Sequence, residues 1–392
     1  MSILNQSQRE IMLSFAYMAY IGEQITTPNP EPTIKTNINK AMPQIPPISG
    51  KGGTDSWGIV WGPITYTVPG AMYQDNMMYM VQNNNDKTQF TLAIRGTNFV
   101  SQLNWLMEDF DVLQQMPWPI TAKMFYPMGA MISEGASMGL QILLNMKGED
   151  TTGVKIGIID CLTNYTKSVG AINLCVTGHS LGGMLCGTLA LYLQDTISLW
   201  DTSSNSNISS ISFAAPSAGN TAFANHSDKV FSSLTPPPNW DKSLGTNMDR
   251  VACDLDGAPY FYTASNIYGS SSSPLFNIYD YPSGGKPGID GMNFTDLGLF
   301  SEWTVGSPLI LGAIANQLKP KDYLQIENSA IPIKGKFIPT TSLNPPYDIV
   351  ANKTTKTYLE AFAGEIAYQH SDSYPTILGV TELLNPAIII KT

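Results

Sequence analysis

The sequence predicts an α/β fold with a mostly parallel central sheet and helices on both faces. Short apolar runs at 88–95, 171–176 and 208–214 have the length and composition of buried strands, and longer helix-like runs separate them. Strands that alternate with helices pair in parallel, because each helix returns the chain to the same edge of the sheet. The 392 residues suffice for one large core with insertions or for two domains, and we expect a single domain over residues 1–392.

The N-terminal part is expected to form one helix and then an irregular surface segment. Residues 7–10, Ser-Gln-Arg-Glu, have the form of a capping box, so the pattern predicts a helix that starts there, continues to Ile21 and ends at Gly22. Six prolines between residues 24 and 56 predict an irregular excursion over 24–56, before the first strand.

The elements of the sheet follow in order. Residues 57–95 predict several short strands, among them 76–82 and 88–95, which the polar turn 83–86 separates. The predicted helices after this point cover residues 101–114, 123–147, 154–168, 184–199 and 300–318.

The segment Gly178-His179-Ser180-Leu181-Gly182 is the most informative one, because this Gly-x-Ser-x-Gly pattern stands between a predicted strand and a predicted helix. A strand that turns sharply into a helix strains its central residue, so the residues two positions away must be small. The turn would expose the Ser180 hydroxyl and direct the N–H of Leu181 to the place where an oxyanion forms. The context favours a nucleophile elbow over a chance pattern in a chain with 33 glycines.

The histidines are few enough to be considered one by one, because a serine nucleophile needs a histidine base and a carboxylate. The chain holds His179, His226 and His370. The ring of His179 would point away from the neighbouring Ser180 hydroxyl, so we expect it to pack or hydrogen-bond locally. His226 lies in a predicted helix and is expected to be exposed there. In the α/β-hydrolase fold the order is serine, acid and then histidine, which favours His370 as the base.

The acid is expected between the serine and the histidine, and residues 250–259 offer two aspartates after a short apolar strand. Carboxylates at a strand end can reach a site without interrupting the sheet. Asp256 is the first candidate, since Gly257 and Pro259 after it mark a turn. Asp254 is a rival two residues earlier, and spacing alone does not separate the two.

Four segments together resemble the class 3 lipases of the α/β-hydrolase fold. These segments are Leu-Ala-Ile-Arg-Gly-Thr at 92–97, Thr-Gly-His-Ser-Leu-Gly-Gly at 177–183, Phe-Ala-Ala-Pro-Ser-Ala-Gly-Asn at 213–220, and Arg250 followed by Asp256 and Pro259. The likeness spans about residues 76–260 and the region of His370. It implies Ser180 as nucleophile, Asp256 rather than Asp254 as the orienting acid, His370 as general base, and Thr97 and Leu181 as oxyanion-hole donors.

The chain departs from the family pattern at three places. Asn104-Trp105 replaces the usual Asp-Trp, residues 126–129 replace a His-x-Gly-Phe segment, and Ser217 stands where the family has arginine. These changes concern support and cover of the site, so they bear on substrate preference rather than on the type of reaction.

Two segments are candidates for a cover over the site. Residues 98–128 are crowded with apolar side chains, which favours either a lid or ordinary core packing. Residues 257–345, between the candidate acid and base, are longer than one strand and one helix require, and we interpret them as a lid or cap insertion.

The composition limits the classes of partner and ligand that are expected to bind the protein. A net charge of −10 argues against nucleic acid, and the absence of an 18-residue apolar run argues against a membrane span. Only 13% of the residues are charged, which is compatible with an enzyme that meets a lipid or ester substrate at an interface and equally with a merely neutral surface of the kind found on secreted proteins. No zinc-ligand spacing occurs, so neither a metal nor a cofactor is expected, and Cys161, Cys175, Cys186 and Cys253 are predicted to be free core thiols.

The N-terminus lacks a basic region and a small-residue cleavage site. We therefore expect a soluble protein, either cytoplasmic or exported by a route without a classical leader; protein partners are not predicted. The expected activity is that of a serine carboxylic-ester hydrolase of the triacylglycerol lipase type, acting through an acyl-enzyme. The alternatives are a phospholipase, including an exported effector, and a catalytically silent lipid-binding protein on the same scaffold.

Overall fold

The computed structural model of the protein describes residues 3–49, 57–67, 74–96, 114–120, 129–237, 240, 246–260, 322–327, 330–338 and 358–391. The strands are β1 Trp57–Tyr66, β2 Asn76–Asn83, β3 Gln89–Ile94, β4 Gln115–Pro117, β5 Met131–Ser133, β6 Lys147–Glu149, β7 Lys155–Gly157, β8 Asn173–His179, β9 Asn207–Phe213, β10 Gly219–Asn220, β11 Met248–Val251 and β12 Tyr323–Leu324. The α-helices are α1 Ile3–Met18, α2 Glu31–Ala41, α3 Pro46–Ser49, α4 Glu134–Asn145, α5 Ile158–Val169, α6 Leu181–Asp195, α7 Ile197–Trp200, α8 Thr221–Ser233, α9 Tyr358–Ser371 and α10 Ser373–Leu378.

Six of these strands form the central sheet, in the order β1-β2-β3-β8-β9-β11. Strands β3, β8, β9 and β11 pair in parallel, and β2 runs antiparallel to both of its neighbours. The predicted mostly parallel sheet is therefore confirmed. Because parallel strands end at the same edge, the residues that follow these four strands come together there.

Helices cover both faces of the sheet. Helices α4 to α8 contribute to one apolar core, whereas α1, α2, α3 and α10 contribute to the other. Strand β2 shows how the sheet serves both, since Met78 and Met80 lie in the first core and Met77 and Tyr79 in the second. Successive side chains of a strand point to opposite faces, so a strand that is covered on both sides is apolar throughout.

The first helix starts earlier than the sequence pattern predicts. Helix α1 begins at Ile3, so Ser7 lies inside the helix and the predicted capping box is wrong. Residues three apart share a helix face, and a Ser-x-x-Glu pattern therefore also suits a turn in the middle of a helix. The part of this segment that matters for the site is its end, where residues 12–21 are buried.

Residues 31–49 contain helices, contrary to the irregular excursion predicted over 24–56. Helix α2 has Pro32 in its first turn, where proline is tolerated because the N–H groups there have no acceptor within the helix. Ile34 and Ile38, four residues apart, are buried on one face of α2. The prolines of this segment mark the starts of helices, and their number alone was misleading.

The helix predicted at 123–147 is shorter than expected within the described residues. Residues 131–133 form strand β5, and α4 begins after Ser133, whose hydroxyl accepts a hydrogen bond from the N–H of Ala136 at 3.0 Å. This N-cap interaction stabilises a helix start at that point, so the chain is extended before it.

The two candidate cover segments lie mostly outside the described residues. Of 98–128, residues 114–120 are described, and Trp118 is buried there with its indole N–H donating to the carboxylate of Asp195 at 2.9 Å. Of 257–345, the described parts are residues 257–260, 322–327 and 330–338. The helix predicted at 300–318 and nearly all of that at 101–114 also fall outside. Among the described helices, none has the length and apolarity that crossing a membrane requires.

Candidate active site

Ser180 lies on the turn between β8 and α6, where the sequence predicts the elbow. Its backbone angles are 60° for φ and −127° for ψ, so a residue with a side chain adopts a positive φ. This conformation is strained for residues other than glycine, and such strain is concentrated at functional turns. The N–H of Ser180 donates to the carbonyl of Phe213 on the neighbouring strand at 2.9 Å, which holds the turn against the sheet.

The glycines on either side of Ser180 are required by close backbone contacts. A Cβ atom on Gly178 would lie 2.2 Å from the carbonyl oxygen of Gly182. A Cβ atom on Gly182 would lie 2.4 Å from the carbonyl oxygen of Ile94, at the end of β3. The elbow is therefore pressed against the end of the adjacent strand, and no other residue fits at either position without a shift of the backbone.

His370 lies in the last turn of α9 and follows Ser180 by 190 residues in the sequence. Its Nε2 atom is 2.8 Å from the Oγ atom of Ser180. Both residues are 3% exposed, so this contact is shielded from water. A histidine in hydrogen-bond contact with a serine hydroxyl is the arrangement that removes the hydroxyl proton during nucleophilic attack.

Asp256 follows strand β11 and approaches His370 from the side opposite Ser180. Both of its carboxylate oxygens lie 3.0 Å from Nδ1 of His370. The N–H of Ala258 donates to Oδ1 at 2.9 Å, and the hydroxyl of Tyr374 donates to Oδ2 at 2.8 Å. A buried carboxylate with this set of donors is fixed in orientation.

Asp254, the rival acid, points elsewhere. Its carboxylate accepts hydrogen bonds from Nζ of Lys334 at 2.9 Å and from the N–H of Gly335 at 2.7 Å. The structure therefore separates two aspartates that spacing left equivalent: Asp256 contacts His370, and Asp254 ties down the segment 330–338.

The other two histidines occupy separate places. His226, on α8, contacts the carboxylate of Asp195 with Nε2 at 2.9 Å, so it is paired and partly buried rather than exposed as predicted. His179 adjoins the elbow and does not contact the Ser180 hydroxyl in the described structure. It contacts instead the backbone carbonyl of His370 and the hydroxyl of Tyr20.

Of the two predicted oxyanion-hole donors, Leu181 lies within the described residues. Leu181 is the first residue of α6, so its N–H belongs to the helix N-terminus, where negative charge is stabilised. Thr97 lies outside the described residues, but the chain just before it runs along the elbow. A Cβ atom on Gly96 would lie 2.5 Å from the carbonyl oxygen of His179. Arg95 is fully buried beside it and donates from Nη2 to the carbonyl of Gln74 at 2.6 Å.

Tyr374 is a site residue that the sequence analysis missed. Its hydroxyl donates to Asp256 and accepts from the N–H of Cys253 at 2.9 Å, so it links the acid to the strand end that carries it. No sequence signal indicated this role, because the hydroxyl reaches the carboxylate only through the break between α9 and α10. Burial raises the pKa of Tyr374 well above its usual value, so the hydroxyl remains a donor.

The cysteines do not compete as nucleophiles. All four are free and buried, as predicted. Burial raises the pKa of each thiol to about 12, so the reactive thiolate is scarce. Among the described residues, no group of three or more His, Cys, Asp and Glu side chains is arranged to hold a metal ion.

Comparison with known proteins shows which proteins the chain is similar to. The family model of the class 3 lipases matches residues 91–238. The crystal structure of the M37 lipase is 28% identical to the chain, covers 97% of it and 96% of the M37 chain, and superimposes with a TM-score of 0.72. The Lip2 lipase of Yarrowia lipolytica is 18% identical over 66% of this chain and 75% of its own, with a TM-score of 0.44. Lipase II of Rhizopus niveus is 15% identical over 65% and 74%, with a TM-score of 0.39.

No protein with a curated description matches the sequence. The family match covers the elbow and the two neighbouring parallel strands, and the M37 likeness extends over nearly the whole chain. The resemblance that the sequence motifs indicated is therefore confirmed. Residues 91–238 match the class 3 lipase family, and the chain is a carboxylic ester hydrolase of the α/β-hydrolase fold.

Proposed function

We propose that the protein hydrolyses lipid esters, in the manner of a triacylglycerol lipase, through an acyl-enzyme on Ser180. The observation that carries this proposal is the position of His370. One ring nitrogen lies 2.8 Å from the serine hydroxyl and the other 3.0 Å from the carboxylate of Asp256. The M37 lipase, 28% identical over 97% of the chain, supports a lipid ester as the substrate.

The hydrogen bonds support one arrangement of the protons before reaction. A carboxylate only accepts hydrogen bonds, so the Nδ1 atom of His370 carries a proton and donates it to Asp256. The Nε2 atom of the neutral ring then has a lone pair that accepts the hydrogen bond of the Ser180 hydroxyl. This is the tautomer that a general base needs.

In the first half of the reaction, Oγ of Ser180 attacks the ester carbonyl carbon while its proton passes to Nε2 of His370. The tetrahedral intermediate then loses the alcohol: the bond from carbon to the alcohol oxygen breaks, and Nε2 returns the proton to that oxygen. In the second half, water attacks the acyl-enzyme, His370 takes its proton, and the fatty acid leaves as Ser180 regains its hydrogen. Asp256 stabilises the imidazolium at both stages.

The negative charge on the former carbonyl oxygen needs donors that are already oriented. The N–H of Leu181 supplies one at the N-terminus of α6, and we assign the second to Thr97 from the family resemblance. Both ends of the chain contribute to the site, since α9 carries His370 and Tyr17 of α1 donates to the carbonyl of Ser371. This supports a single catalytic domain over residues 1–392.

The acyl-enzyme is tested by adding methanol as a second acceptor. A p-nitrophenyl ester and a methylumbelliferyl ester of the same fatty acid should yield the same ratio of methyl ester to free acid, because both pass through one intermediate. A ratio that depends on the leaving group would contradict the acyl-enzyme. Ser180→Ala is the matched control and should form neither product above background.

The substrate class is tested in a pH-stat with emulsified triolein and with phosphatidylcholine vesicles. The proposal predicts faster fatty-acid release from triolein. Faster release from phosphatidylcholine would favour a phospholipase, and no release from either lipid or from soluble esters would favour a silent lipid-binding protein.

A further inference from the structure

We propose that His179 and Tyr20 are positioning residues for the base: they hold the backbone of His370 through a chain of hydrogen bonds and so set its imidazole against Ser180. The inference rests on the role of His370 as the general base proposed above. It assigns a purpose to the histidine of the elbow motif, which the mechanism itself does not use.

The chain of contacts is buried. The Nε2 atom of His179 lies 2.7 Å from the backbone carbonyl oxygen of His370, and its Nδ1 atom lies 3.1 Å from the hydroxyl of Tyr20. The exposed fraction is 3% for His179 and 6% for Tyr20. The residue that precedes Ser180 in the chain thus contacts the backbone of the residue that activates it.

The carbonyl of His370 needs a donor because it lies at the end of a helix, where the last four carbonyls have no N–H partner within the helix. Two of the four in α9 find donors just beyond the helix, and two find them on distant parts of the chain. The carbonyl of Tyr368 accepts from the N–H of Asp372, and the carbonyl of Gln369 accepts from the Ser373 hydroxyl. The carbonyl of His370 contacts the ring of His179, and the carbonyl of Ser371 accepts from the Tyr17 hydroxyl. The position of the base therefore depends on His179.

The protonation state of His179 follows from its partners. A carbonyl oxygen only accepts, so Nε2 carries the proton and donates it to His370. Burial first, and then the neighbouring His370, keep the pKa of His179 well below its usual value of 6.5, so the ring is neutral. Its Nδ1 atom is then an acceptor for the hydroxyl of Tyr20 at 3.1 Å, and the same hydroxyl lies 3.3 Å from the backbone carbonyl oxygen of His179.

Neutrality also suits the chemistry. The ring centroids of His179 and His370 are 4.7 Å apart. The ring of His370 becomes a cation during each half of the reaction. A second positive charge at this distance would oppose that step. A neutral histidine combines an N–H donor for the backbone with no charge near the base, which a lysine or arginine could not do.

The test compares His179→Leu, which removes the donor, with His179→Gln, which keeps an N–H group near the position of Nε2. The substrate is a soluble short-chain p-nitrophenyl ester. In the leucine variant we expect kcat to fall about tenfold to a hundredfold, because a displacement of the base by up to about 1 Å has an effect of this size. The glutamine variant should recover most of the loss, and KM should stay within about twofold in both.

A double-mutant cycle separates positioning from general damage. In a His370→Ala background the base is absent, so adding His179→Leu should not lower the residual hydrolysis further. An additional loss of the same size in this background would overturn the inference, because His179 would then act on the elbow or the oxyanion site. Equal kcat for the wild type and the leucine variant would overturn it as well.

Tyr20→Phe provides a second variant that keeps the histidine, in case the leucine variant does not fold. We expect a loss in kcat of about threefold to tenfold, since one hydrogen bond to the ring is removed. The matched control is Tyr79→Phe, which removes a buried hydroxyl that donates to the carbonyl of Phe15 on α1 at 2.8 Å, away from His179. It should lower the melting temperature comparably and leave kcat unchanged; an equal loss of kcat in both would contradict the inference.

Different results would contradict the proposed function and the positioning role of His179 and Tyr20. If Ser180→Ala or His370→Ala retains full hydrolysis, the proposed function itself is wrong. If both abolish it while His179→Leu and Tyr20→Phe keep the wild-type kcat, the function stands and only the positioning role is lost.

Discussion

Nδ1 of His370 lies 3.0 Å from both carboxylate oxygens of Asp256. His370 lies in the last turn of α9, whereas Asp256 follows strand β11. The carboxylate is buried, and because a carboxylate only accepts hydrogen bonds it favours the tautomer of the imidazole with a proton on Nδ1. Asp256→Asn should therefore lower kcat on a soluble ester by about 10⁴-fold, because an amide can present its NH₂ group to Nδ1 and favour the wrong tautomer.

The control for this change is Asp254→Asn, two residues away. Asp254 contacts Lys334 and Gly335 and not His370, so its kcat should stay close to that of the wild type. If the two variants lose activity equally, Asp256 has no special role as the orienting acid.

The hydroxyl of Tyr374 should contribute to rate through the same carboxylate. Tyr374→Phe removes its 2.8 Å bond to Asp256 and leaves the N–H of Cys253 without that acceptor. A hydrogen bond to a charged group contributes roughly 1.5–3 kcal/mol, so we expect kcat to fall by about tenfold or more. Steady-state kinetics at saturating ester measure this, and an unchanged kcat would show that the other contacts of Asp256 suffice.

The glycine requirement of the elbow can be tested with two substitutions in one helix. A Cβ on Gly182 would lie 2.4 Å from the carbonyl oxygen of Ile94, so Gly182→Ala should unfold the elbow or abolish activity. The nearest atom to a Cβ on Gly187 is 3.5 Å away, an ordinary contact, so Gly187→Ala should be tolerated and can stabilise the helix by up to about 1 kcal/mol. Thermal unfolding and ester hydrolysis distinguish the two, and similar behaviour of both variants would contradict the contact geometry.

A buried carboxyl on α9 should make stability depend on pH. Burial raises the pKa of Glu365 from 4.5 to about 7, while its Oε1 atom accepts from Gln369 and from the N–H of Ile338. The folded protein therefore holds this proton to higher pH than the unfolded chain, and the contribution of Glu365 to the free energy of unfolding falls as the pH rises from about 4.5 to about 7.

Glu365→Gln removes this titration and keeps an oxygen for the two donors. The difference in melting temperature between the variant and the wild type should thus become more positive between pH 5 and pH 8, by roughly a few degrees. The matched control is Glu149→Gln, the same substitution at a glutamate whose side chain is exposed to solvent. A difference for Glu365→Gln that is independent of pH would show that the carboxyl is charged at both ends of this range.

Much of the fold and the approximate place of the site could be predicted because the signals are local. The glycines around Ser180 are demanded by backbone contacts within a few residues, so they stand out in the sequence. The number of histidines made His370 a prediction by elimination and fold order. The spacing of Asp254 and Asp256 carried no such information; the family resemblance implied Asp256, and the path of the chain after β11 brings Asp256 to His370 and Asp254 to Lys334.

Other features depend on how distant elements pack and had no sequence signal. Tyr374 reaches Asp256 because α9 and α10 meet at a sharp break, and Tyr20 reaches His179 because the end of α1 lies against the elbow. The irregular segment predicted over 24–56 differs from the structure for a related reason. Pro32 is harmless in the first turn of α2, and the apolar spacing that buries this helix becomes evident only once the helix packs on the sheet.

Activation of Ser180 by His370 can be measured by mass spectrometry of the protein after treatment with a fluorophosphonate ester. We expect one adduct on the Ser180 hydroxyl, formed rapidly in the wild type, at least about 10³-fold more slowly in His370→Ala and not at that site in Ser180→Ala. An adduct on another residue, or an unlabelled Ser180 in a preparation that hydrolyses esters at full rate, would contradict it.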